Sequence, residues 1–300
     1  MWSCQPKKLL ATPGFVKLIP GKCVYFKNTT YIVKPGDTLP DIAVKLKVGY
    51  RNLFIANQKS IENPWVLTPG LRLIVPKELL IPCEVLKLAR KYRRVLVVNL
   101  PEMRLYYFDH SNFFVAPIGV GIKHRLPPVG KYYILRKKKN PRWYPPPSIK
   151  RANPRLPKFI PPGPRNPLGK YALYLSRGFY AIHGTNKPYS IGRRSTHGCI
   201  RLYAKDIEFL FKHINPPVPV FIIYIPYKLC FEHHKIYLQV FPDMEHEVKY
   251  PVLWILDYIR THLKHLSYNV DLIKLTKVLS SSDGKVYVIG TFNSRFSCSP

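Results

Sequence analysis

The chain has 300 residues, of which 46% are hydrophobic and 13% aromatic, so it has the apolar content of folded domains and is not a disordered protein. Its 48 Lys and Arg outnumber its 16 Asp and Glu, which gives a formal net charge of +32. This charge favours an anionic partner, and nucleic acid, an acidic envelope polymer and a membrane surface all remain open. The longest strongly apolar run, residues 218–225, is far shorter than the roughly 20 residues that a membrane-spanning helix needs.

The first 30 residues are expected to form an N-terminal segment in which no export signal is evident. Pro13 and Gly14 interrupt its apolar stretch, and no small-residue cleavage site follows. The six cysteines are widely spaced and include no Cys-x-x-Cys pair, which argues against a zinc ribbon or a thioredoxin-type motif. Cys23 and Cys83 stand on either side of the next unit, and their positions alone suggest a pair in an oxidising compartment.

Residues 31–78 have the pattern of a small α+β unit. An alternating apolar stretch ends at a Pro-Gly-Asp turn, and Asp37 or Thr38 is placed to cap the helix that follows. A second short helical pattern comes next, and a Pro-Gly turn then leads into a closing strand. The predicted order is a strand that begins at Tyr31, helices at 42–46 and 53–57, and a strand at 71–75.

The motif from Val33 to Leu39, together with Leu53, Asn57 and the segment 69–76, resembles a LysM domain. LysM domains are small modules that bind glycans containing N-acetylglucosamine, such as peptidoglycan. The resemblance therefore implies that residues 31–78 form a βααβ domain that binds the glycan of the bacterial cell wall.

Residues 77–92 are expected to be a linker, after which the sequence changes to short apolar runs separated by proline and glycine. These runs favour strands across residues 93–226, with one helix at 204–213. The pattern predicts a mainly β domain, a sandwich or a barrel with long loops. The stretch 137–168 is dense in proline, lysine and arginine, and a long loop of this kind favours a lid over a functional site.

Residues 227–300 are expected to form a small accessory C-terminal region. Strands are predicted at 235–240 and 285–289, and an amphipathic helix is predicted at 251–265. The sequence of this region carries no motif that assigns it a role.

A cysteine and two histidines form the strongest chemical pattern in the chain. His183 ends a predicted strand, and Cys199 follows sixteen residues later in the motif Thr196-His197-Gly198-Cys199. A cysteine thiol becomes a strong nucleophile when a nearby base or positive field converts it to a thiolate. Here two histidines and several arginines are close in sequence, and backbone N–H groups of the motif, including that of Cys199, can face an oxyanion.

The segment around Cys199 carries no acidic residue. Between Asp109 and Asp206 the chain has twenty Lys and Arg and no Asp or Glu. A carboxylate from this stretch therefore cannot orient His183, so a Cys-His dyad is predicted in preference to a Cys-His-Asp triad. The positive charge is also expected to lower the pKa of the Cys199 thiol and to attract a substrate that carries carboxylates.

Residues 93–226 resemble the L,D-transpeptidase catalytic domain of the YkuD family, in particular its ErfK/YbiS branch. The resemblance rests on His183, the Thr-His-Gly-Cys motif with Ile200 and Arg201, and flanking segments such as 163–169 and 180–186. It implies a YkuD-type β sandwich with a long lid loop and assigns roles to six residues. Cys199 is the nucleophile, His183 is the general base and then acid, the Gly184 carbonyl orients His183, and His197, Gly198 and Arg201 shape the oxyanion site and hold a substrate carboxylate.

The resemblance implies an enzyme of the bacterial periplasm or cell envelope that acts on peptidoglycan tetrapeptide stems through a cysteine thioester. It would release D-Ala and form 3-3 cross-links, or attach the lysine of an outer-membrane lipoprotein to diaminopimelate. No cofactor, nucleic acid or transmembrane segment is expected. Two alternatives remain: a hydrolase of the same fold that cuts stem or lipoprotein bonds, and a non-catalytic cell-wall-binding protein with an inert Cys199.

A zinc site is a chemical alternative for the same three side chains. His183, His197 and Cys199 are ligand types that zinc accepts, but a fourth ligand and the usual local pair spacing are missing. The basic run 137–139 beside Trp143 and Tyr144 resembles the composition of a nucleic-acid patch, yet no DNA- or RNA-binding motif accompanies it. Neither alternative is preferred, and no metal is expected.

Overall fold

The computed structural model describes residues 13–293, except for the side chain of Ser148. Residues 13–92 form five short strands and three helices. The strands are β1 (Val16–Lys17), β2 (Val24–Tyr25), β3 (Thr29–Ile32), β4 (Arg72–Val75) and β5 (Leu79–Leu80), and the helices are α1 (Leu39–Leu46), α2 (Tyr50–Asn57) and α3 (Cys83–Tyr92).

The predicted strand-helix-helix-strand unit is present. Strand β3 pairs with β4 in antiparallel fashion, and α1 and α2 connect them. Thr38 is the residue that caps α1, because its hydroxyl accepts a hydrogen bond from the N–H of Asp41 at 3.2 Å. The helices bury their apolar faces in a separate small core with members Val33, Leu39, Ile42, Ala43, Leu53, Ile61, Leu67 and Leu73.

The middle of the chain is mainly β, as predicted. Its strands are β6 (Arg94–Asn99), β7 (Arg104–Asp109), β8 (Asn112–Pro117), β9 (Val120–Gly121), β10 (Gly130–Lys139), β11 (Tyr171–Leu175), β12 (Ala181–His183), β13 (Arg194–Thr196), β14 (Ile200–Arg201) and β15 (Val218–Ile223). Helix α4 (Pro147–Ala152) lies in the long basic segment, and α5 (Ala204–His213) confirms the predicted helix. Nine strands form one sheet in the order β1-β8-β7-β6-β15-β10-β11-β12-β14.

Both faces of the central strands are covered. Along β6, Val95 and Val97 belong to the core on one face, whereas Leu96 and Val98 belong to the core on the other face. This arrangement explains why the sequence of β6 is a continuous apolar run instead of an alternating one. Helix α5 packs on one face, and α3 together with the C-terminal region covers the other.

The prediction of a linker at residues 77–92 is wrong, because this stretch contains β5 and α3. Helix α3 buries Val85, Leu86 and Ala89 against the large sheet, while its charged residues remain at the surface. The spacing of these three apolar residues is that of an amphipathic helix, so the signal was present in the sequence.

The C-terminal region forms a four-stranded sheet and two helices, in the order β16-β17-β19-β18. Its elements are β16 (Tyr227–Glu232), β17 (Lys235–Val240), α6 (Pro251–His262), β18 (Tyr268–Val270), α7 (Leu272–Ser281) and β19 (Val286–Phe292). The predicted helix and both predicted strands are confirmed, whereas β16, β18 and α7 were not anticipated. The region shares one apolar core with α3 and with the large sheet, so it is packed against the rest of the protein.

Cys23 forms a disulfide with Cys230, and the prediction that it pairs with Cys83 is wrong. The bond joins the segment before the LysM-like unit to strand β16, across 207 residues of sequence. Glu232 accepts hydrogen bonds from the backbone N–H groups of Cys23 (2.8 Å) and Val24 (3.0 Å), which fixes the same junction. A contact between such distant residues could not be deduced from spacing.

The LysM-like unit rests directly on the loop that leads to the Cys199 motif. The N–H groups of Tyr50 and Arg51 donate to the carbonyls of Ile191 (3.2 Å) and Gly192 (3.1 Å). Gly192 has a φ of +76°, and a Cβ there would collide with the backbone of Tyr50, so this close approach requires glycine. Within residues 13–293, no helix combines the length and the apolar character needed to cross a bilayer.

Candidate active site

The two central side chains of the site come from neighbouring strands at one end of the large sheet. Strand β12 runs parallel to β14, with Ile182 opposite Ile200 and His183 opposite Arg201. Cys199 directly precedes β14 and is therefore in register with the residue before Ile182. Because side chains alternate along a strand, His183, Cys199 and Arg201 project from the same face of the sheet.

Thr196 holds the turn that presents Cys199. Its hydroxyl donates to the Cys199 carbonyl at 2.7 Å and accepts from the Gly198 N–H at 3.1 Å. Gly198 has a φ of +111°, and a Cβ at this position would lie 2.6 Å from the ring of Tyr180. The Thr-x-Gly-Cys sequence is thus required for the shape of the turn, a structural role that was not predicted for Thr196.

His183 is buried and has a fixed orientation. Its Nδ1 lies 2.5 Å from the carbonyl oxygen of Gly184, so Nδ1 carries the proton and donates it to this carbonyl. Burial lowers the pKa of His183 to about 4, opposed by the hydrogen bond to Gly184 and assisted by the charge of Arg201. At neutral pH the ring is therefore uncharged, and its Nε2 carries a lone pair that can accept a proton.

Burial raises the pKa of the Cys199 thiol above its ordinary value, although the Ala181 N–H and the charge of Arg201 act in the opposite direction. The prediction of a lowered thiol pKa is therefore wrong. The many cations near Cys199 in the sequence do not outweigh the loss of hydration that burial causes. The sulfur lies 3.7 Å from the carbonyl oxygen of Phe179, to which the thiol donates.

The remaining predicted site residues surround the thiol in different ways. His197 is exposed, and burial of part of its ring and the charges of Arg125 and Arg201 lower its pKa. The N–H of Gly198 already donates to Thr196, so it is not free to bind an oxyanion. Arg201 is partly buried, and its Nε has no hydrogen-bond partner among the described residues. This guanidinium is the cation most directly available to a substrate.

These side chains share one cleft with part of the basic segment 137–168. The cleft has a volume of about 400 Å³. Its lining includes Cys199, His183 and Arg201 on the sheet side and Trp143, Pro147 and other residues of the segment on the opposite side. Arg201 is the one Lys or Arg among the described lining residues, and no Asp or Glu accompanies it, so its charge suits a carboxylate.

Known families match both the region that contains the cleft and the LysM-like unit. Residues 93–222 match the L,D-transpeptidase catalytic domain family, and residues 31–76 match the LysM domain family. The Probable L,D-transpeptidase ErfK/SrfK of Salmonella typhimurium is 33% identical over 272 residues, which cover 85% of this chain and 84% of that protein. The chain belongs to the L,D-transpeptidase family.

Two further similarities are more limited in extent. The Probable L,D-transpeptidase ErfK/SrfK of Escherichia coli K12 is 37% identical, over 65% of this chain and 62% of that protein, so the match spans about six tenths of this relative. Among solved structures, L,D-transpeptidase 3 of Mycobacterium tuberculosis is 16% identical, with 44% of this chain and 61% of that chain covered and a TM-score of 0.36.

In this L,D-transpeptidase family member, Asn166 anchors the basic segment 137–168, a structural role that was not predicted for it. Its side chain is fully buried, and its amide donates to the carbonyls of Pro141 (2.8 Å), Ile160 (3.2 Å) and Pro161 (3.1 Å). Its oxygen accepts from the N–H of Leu168 at 2.9 Å. One side chain thus joins both ends of the segment beside the cleft.

The alternative of a zinc site at the cleft is not supported. Within the described residues, one group of potential ligands lies close enough together to hold a metal, namely Cys23, Cys230 and Glu232. Two of these three residues are joined in a disulfide. The ligand atoms of His183, His197 and Cys199 do not form such a group.

Proposed function

We propose that this protein is an L,D-transpeptidase that acts on peptidoglycan tetrapeptide stems, with Cys199 as nucleophile and His183 as general base and acid. The observation that carries the proposal is the placement of both side chains on one face of β12 and β14 in a single cleft, with His183 Nδ1 bound to the Gly184 carbonyl. That bond leaves Nε2 as the proton acceptor, as a dyad without a carboxylate requires.

In the first half-reaction the Cys199 sulfur attacks the carbonyl carbon that joins the third stem residue to the terminal D-Ala. His183 Nε2 takes the thiol proton as the C–S bond forms. The C–N bond then breaks, and the same proton passes to the departing D-Ala nitrogen. Because the thiol pKa is raised and the His183 pKa is lowered, both groups rest uncharged, and proton transfer accompanies the attack.

In the second half-reaction an acceptor amine attacks the thioester. His183 takes the amine proton and returns it to the sulfur as the C–S bond breaks, which regenerates the dyad. An amine from another stem gives a 3-3 cross-link, and a lysine of an outer-membrane lipoprotein gives an anchored lipoprotein. A water molecule in place of the amine gives the hydrolase alternative.

Arg201 and the LysM-like unit would hold the substrate. The unpartnered Nε of Arg201 is placed to bind a stem carboxylate or the oxyanion, with His197 at the rim. The LysM-like unit, bound to the loop at residues 191–192, would hold the glycan at a fixed distance from the cleft. This substrate places the protein in the periplasm or cell envelope.

The test is incubation of the purified chain with disaccharide-tetrapeptide, followed by mass spectrometry, with Cys199→Ala in parallel. Loss of D-Ala with formation of dimers is the expected result. Loss of D-Ala without dimers would support hydrolysis or a protein acceptor instead. If D-Ala is not released while the protein still binds peptidoglycan, the catalytic proposal is wrong and a wall-binding protein is the better account.

A further inference from the structure

A second cavity lies between the LysM-like unit and the large sheet. It has a volume of about 520 Å³ and shares no lining residue with the Cys199 cleft. The turn between α1 and α2 forms one wall, strand β8 forms another, and Phe15 closes a third side. Pockets of 300–1,000 Å³ with mostly apolar walls and a few polar groups are typical of small-molecule sites.

Two buried oxygen atoms in this wall have no hydrogen-bond partner among the described residues. Asp206, on the first turn of α5, is 9% exposed, and its Oδ2 is unpaired. Asn52, on α2, is 3% exposed, and its Oδ1 is unpaired although its Nδ2 donates to the Glu102 carbonyl at 3.1 Å. Buried acceptors of this kind are rare in folded proteins, so the pair calls for a donor from a ligand.

Cationic and apolar groups complete the lining. Lys47 and Lys77 both border the cavity. Burial raises the pKa of the Asp206 carboxyl to about 7, and the charge of Lys47 acts in the opposite direction. Arg104 also borders it, but its guanidinium is already bound to Glu102 and to the Pro76 carbonyl. Phe15 and Phe114 provide apolar surface beside these charges. The cavity therefore offers acceptors, cations and apolar contact together.

We propose that this cavity binds a small zwitterionic molecule with an apolar body, of the class of free apolar amino acids and their dipeptides. The ligand ammonium donates to Asp206 and Asn52, its carboxylate pairs with Lys47, and its side chains pack on Phe15 and Phe114. A purely anionic ligand would leave both buried acceptors unpaired. A purely cationic ligand would offer no anionic group to Lys47 and Lys77 and would be repelled by them. The site is separate from the proposed catalytic function.

The test is isothermal titration calorimetry of the full chain with leucyl-leucine and with N-acetyl-leucyl-leucine, which lacks the ammonium. Saturable binding of leucyl-leucine is expected, at least tenfold tighter than that of the acetylated probe. Asp206→Leu and Lys47→Met should each weaken it at least tenfold. Lys45→Met is the matched control, because Lys45 is an exposed lysine two residues before Lys47 that does not border the cavity.

Three outcomes would overturn the proposal. These are no saturable binding, equal binding of the acetylated probe, and binding that Lys47→Met leaves unchanged. Lys47 is exposed, so its substitution tests the site even if Asp206→Leu fails to fold. Binding to Cys199→Ala should equal that of the wild type, and weaker binding there would place the probe in the catalytic cleft instead.

Discussion

The cleft around Cys199 and the buried ion cluster around Lys228 both contain ionisable groups removed from water, but they differ in how fully these groups are paired. In the cluster, the Lys228 ammonium contacts Glu102 Oε1 at 2.7 Å and Gln239 Oε1 at 2.8 Å. Glu102 also accepts from Arg104 at 3.1 Å and from Tyr106 at 2.6 Å. In the cleft, Arg201 Nε has no partner among the described residues, and none of the Asp and Glu in that part of the chain lines the cleft.

This difference separates a structural site from a reactive one. The ion cluster joins β7 of the large sheet to β16 of the C-terminal sheet, and its two cations share the carboxylate of Glu102 as their buried counter-charge. The cleft keeps the Nε2 lone pair of His183 and the Nε of Arg201 available beside the Cys199 thiol. Loss of a group should therefore reduce turnover at the cleft and stability at the cluster.

The largest expected effect is on turnover at the cleft. Cys199→Ala should abolish release of D-Ala, and His183→Gln should reduce it by about 10²–10⁴-fold, since each removes a group that no neighbour replaces. Mass spectrometry of the products measures both. Apart from a small effect of altered packing, neither variant should lower the free energy of unfolding by more than about 1 kcal/mol.

His110→Gln is the matched control for His183→Gln, because His110 lies at an exposed turn far along the sheet. Its activity should equal that of the wild type. If His183→Gln kept full activity, His183 would not be the base, and His197 would have to be tested in its place.

The next effect is on stability at the ion cluster. Lys228→Met leaves Glu102 paired with Arg104 but removes the buried donor that Glu102 and Gln239 share, and should cost about 1–3 kcal/mol of unfolding free energy. Urea denaturation followed by circular dichroism measures it. Glu102→Gln should cost more, about 3–5 kcal/mol, because it leaves Lys228 and Arg104 buried without a carboxylate.

The exposed pair Arg260–Asp257 supplies the control for the ion cluster. Its side chains are 72% and 65% exposed, so Arg260→Met should cost less than about 1 kcal/mol. Equal losses in Lys228→Met and Arg260→Met would contradict the comparison, since the buried pair would then contribute no more than a solvated one.

The sequence was sufficient to predict features that depend on residues close together in the chain. The Pro-Gly-Asp turn and the Thr38 cap predicted the LysM-like unit, and the Thr-His-Gly-Cys motif predicted the turn that carries Cys199. Features that depend on distant residues were missed. The Cys23–Cys230 bond and the Lys228–Glu102 pair join segments that are far apart in the chain, and nothing local to either residue specifies its partner. Helix α3 was also missed, but it is a local feature whose amphipathic spacing is visible in the sequence.

The thiol pKa was predicted in the wrong direction for a related reason. Charge can be counted in a sequence, but burial cannot, and burial of Cys199 outweighs the nearby cations. The residues of the basic segment that line the cleft, such as Trp143, Pro147 and Leu168, carry no charge and so do not offset the effect of burial on the thiol. The raised thiol pKa determines how fast Cys199 reacts with an alkylating agent.

Alkylation of Cys199 by iodoacetamide should be slow at neutral pH. Since burial raises the thiol pKa above its ordinary value of 9.0, the thiolate fraction and the rate should rise about tenfold per pH unit from pH 6 to pH 9 without a plateau. Mass spectrometry of the Cys199 peptide measures the rate. A plateau below pH 8 would instead indicate a thiolate paired with protonated His183.

Below neutral pH, stability and turnover should depend on the protonation of His183. Its pKa in the folded protein, about 4, lies below the ordinary value of 6.5, so only the unfolded chain binds this proton between those values. The stability from neutral His183 is therefore fully present above about pH 6.5 and is lost as the pH falls through 4. Above about pH 4, His183 remains neutral and can accept a proton. Turnover should therefore decline only as the pH approaches 4.

The smallest expected effect comes from long-range charge. If the positive cleft attracts stem carboxylates, raising NaCl from 50 to 500 mM should lower kcat/KM by about threefold to tenfold and change kcat little, because salt screens the approach and not the bound chemistry. A stem substrate whose carboxylates are amidated provides the matched comparison. Its kcat/KM should be lower at 50 mM and nearly independent of salt. If both substrates responded equally, the salt would be acting on the protein, and the unpaired guanidinium of Arg201 would serve as a local contact without a role in attraction from a distance.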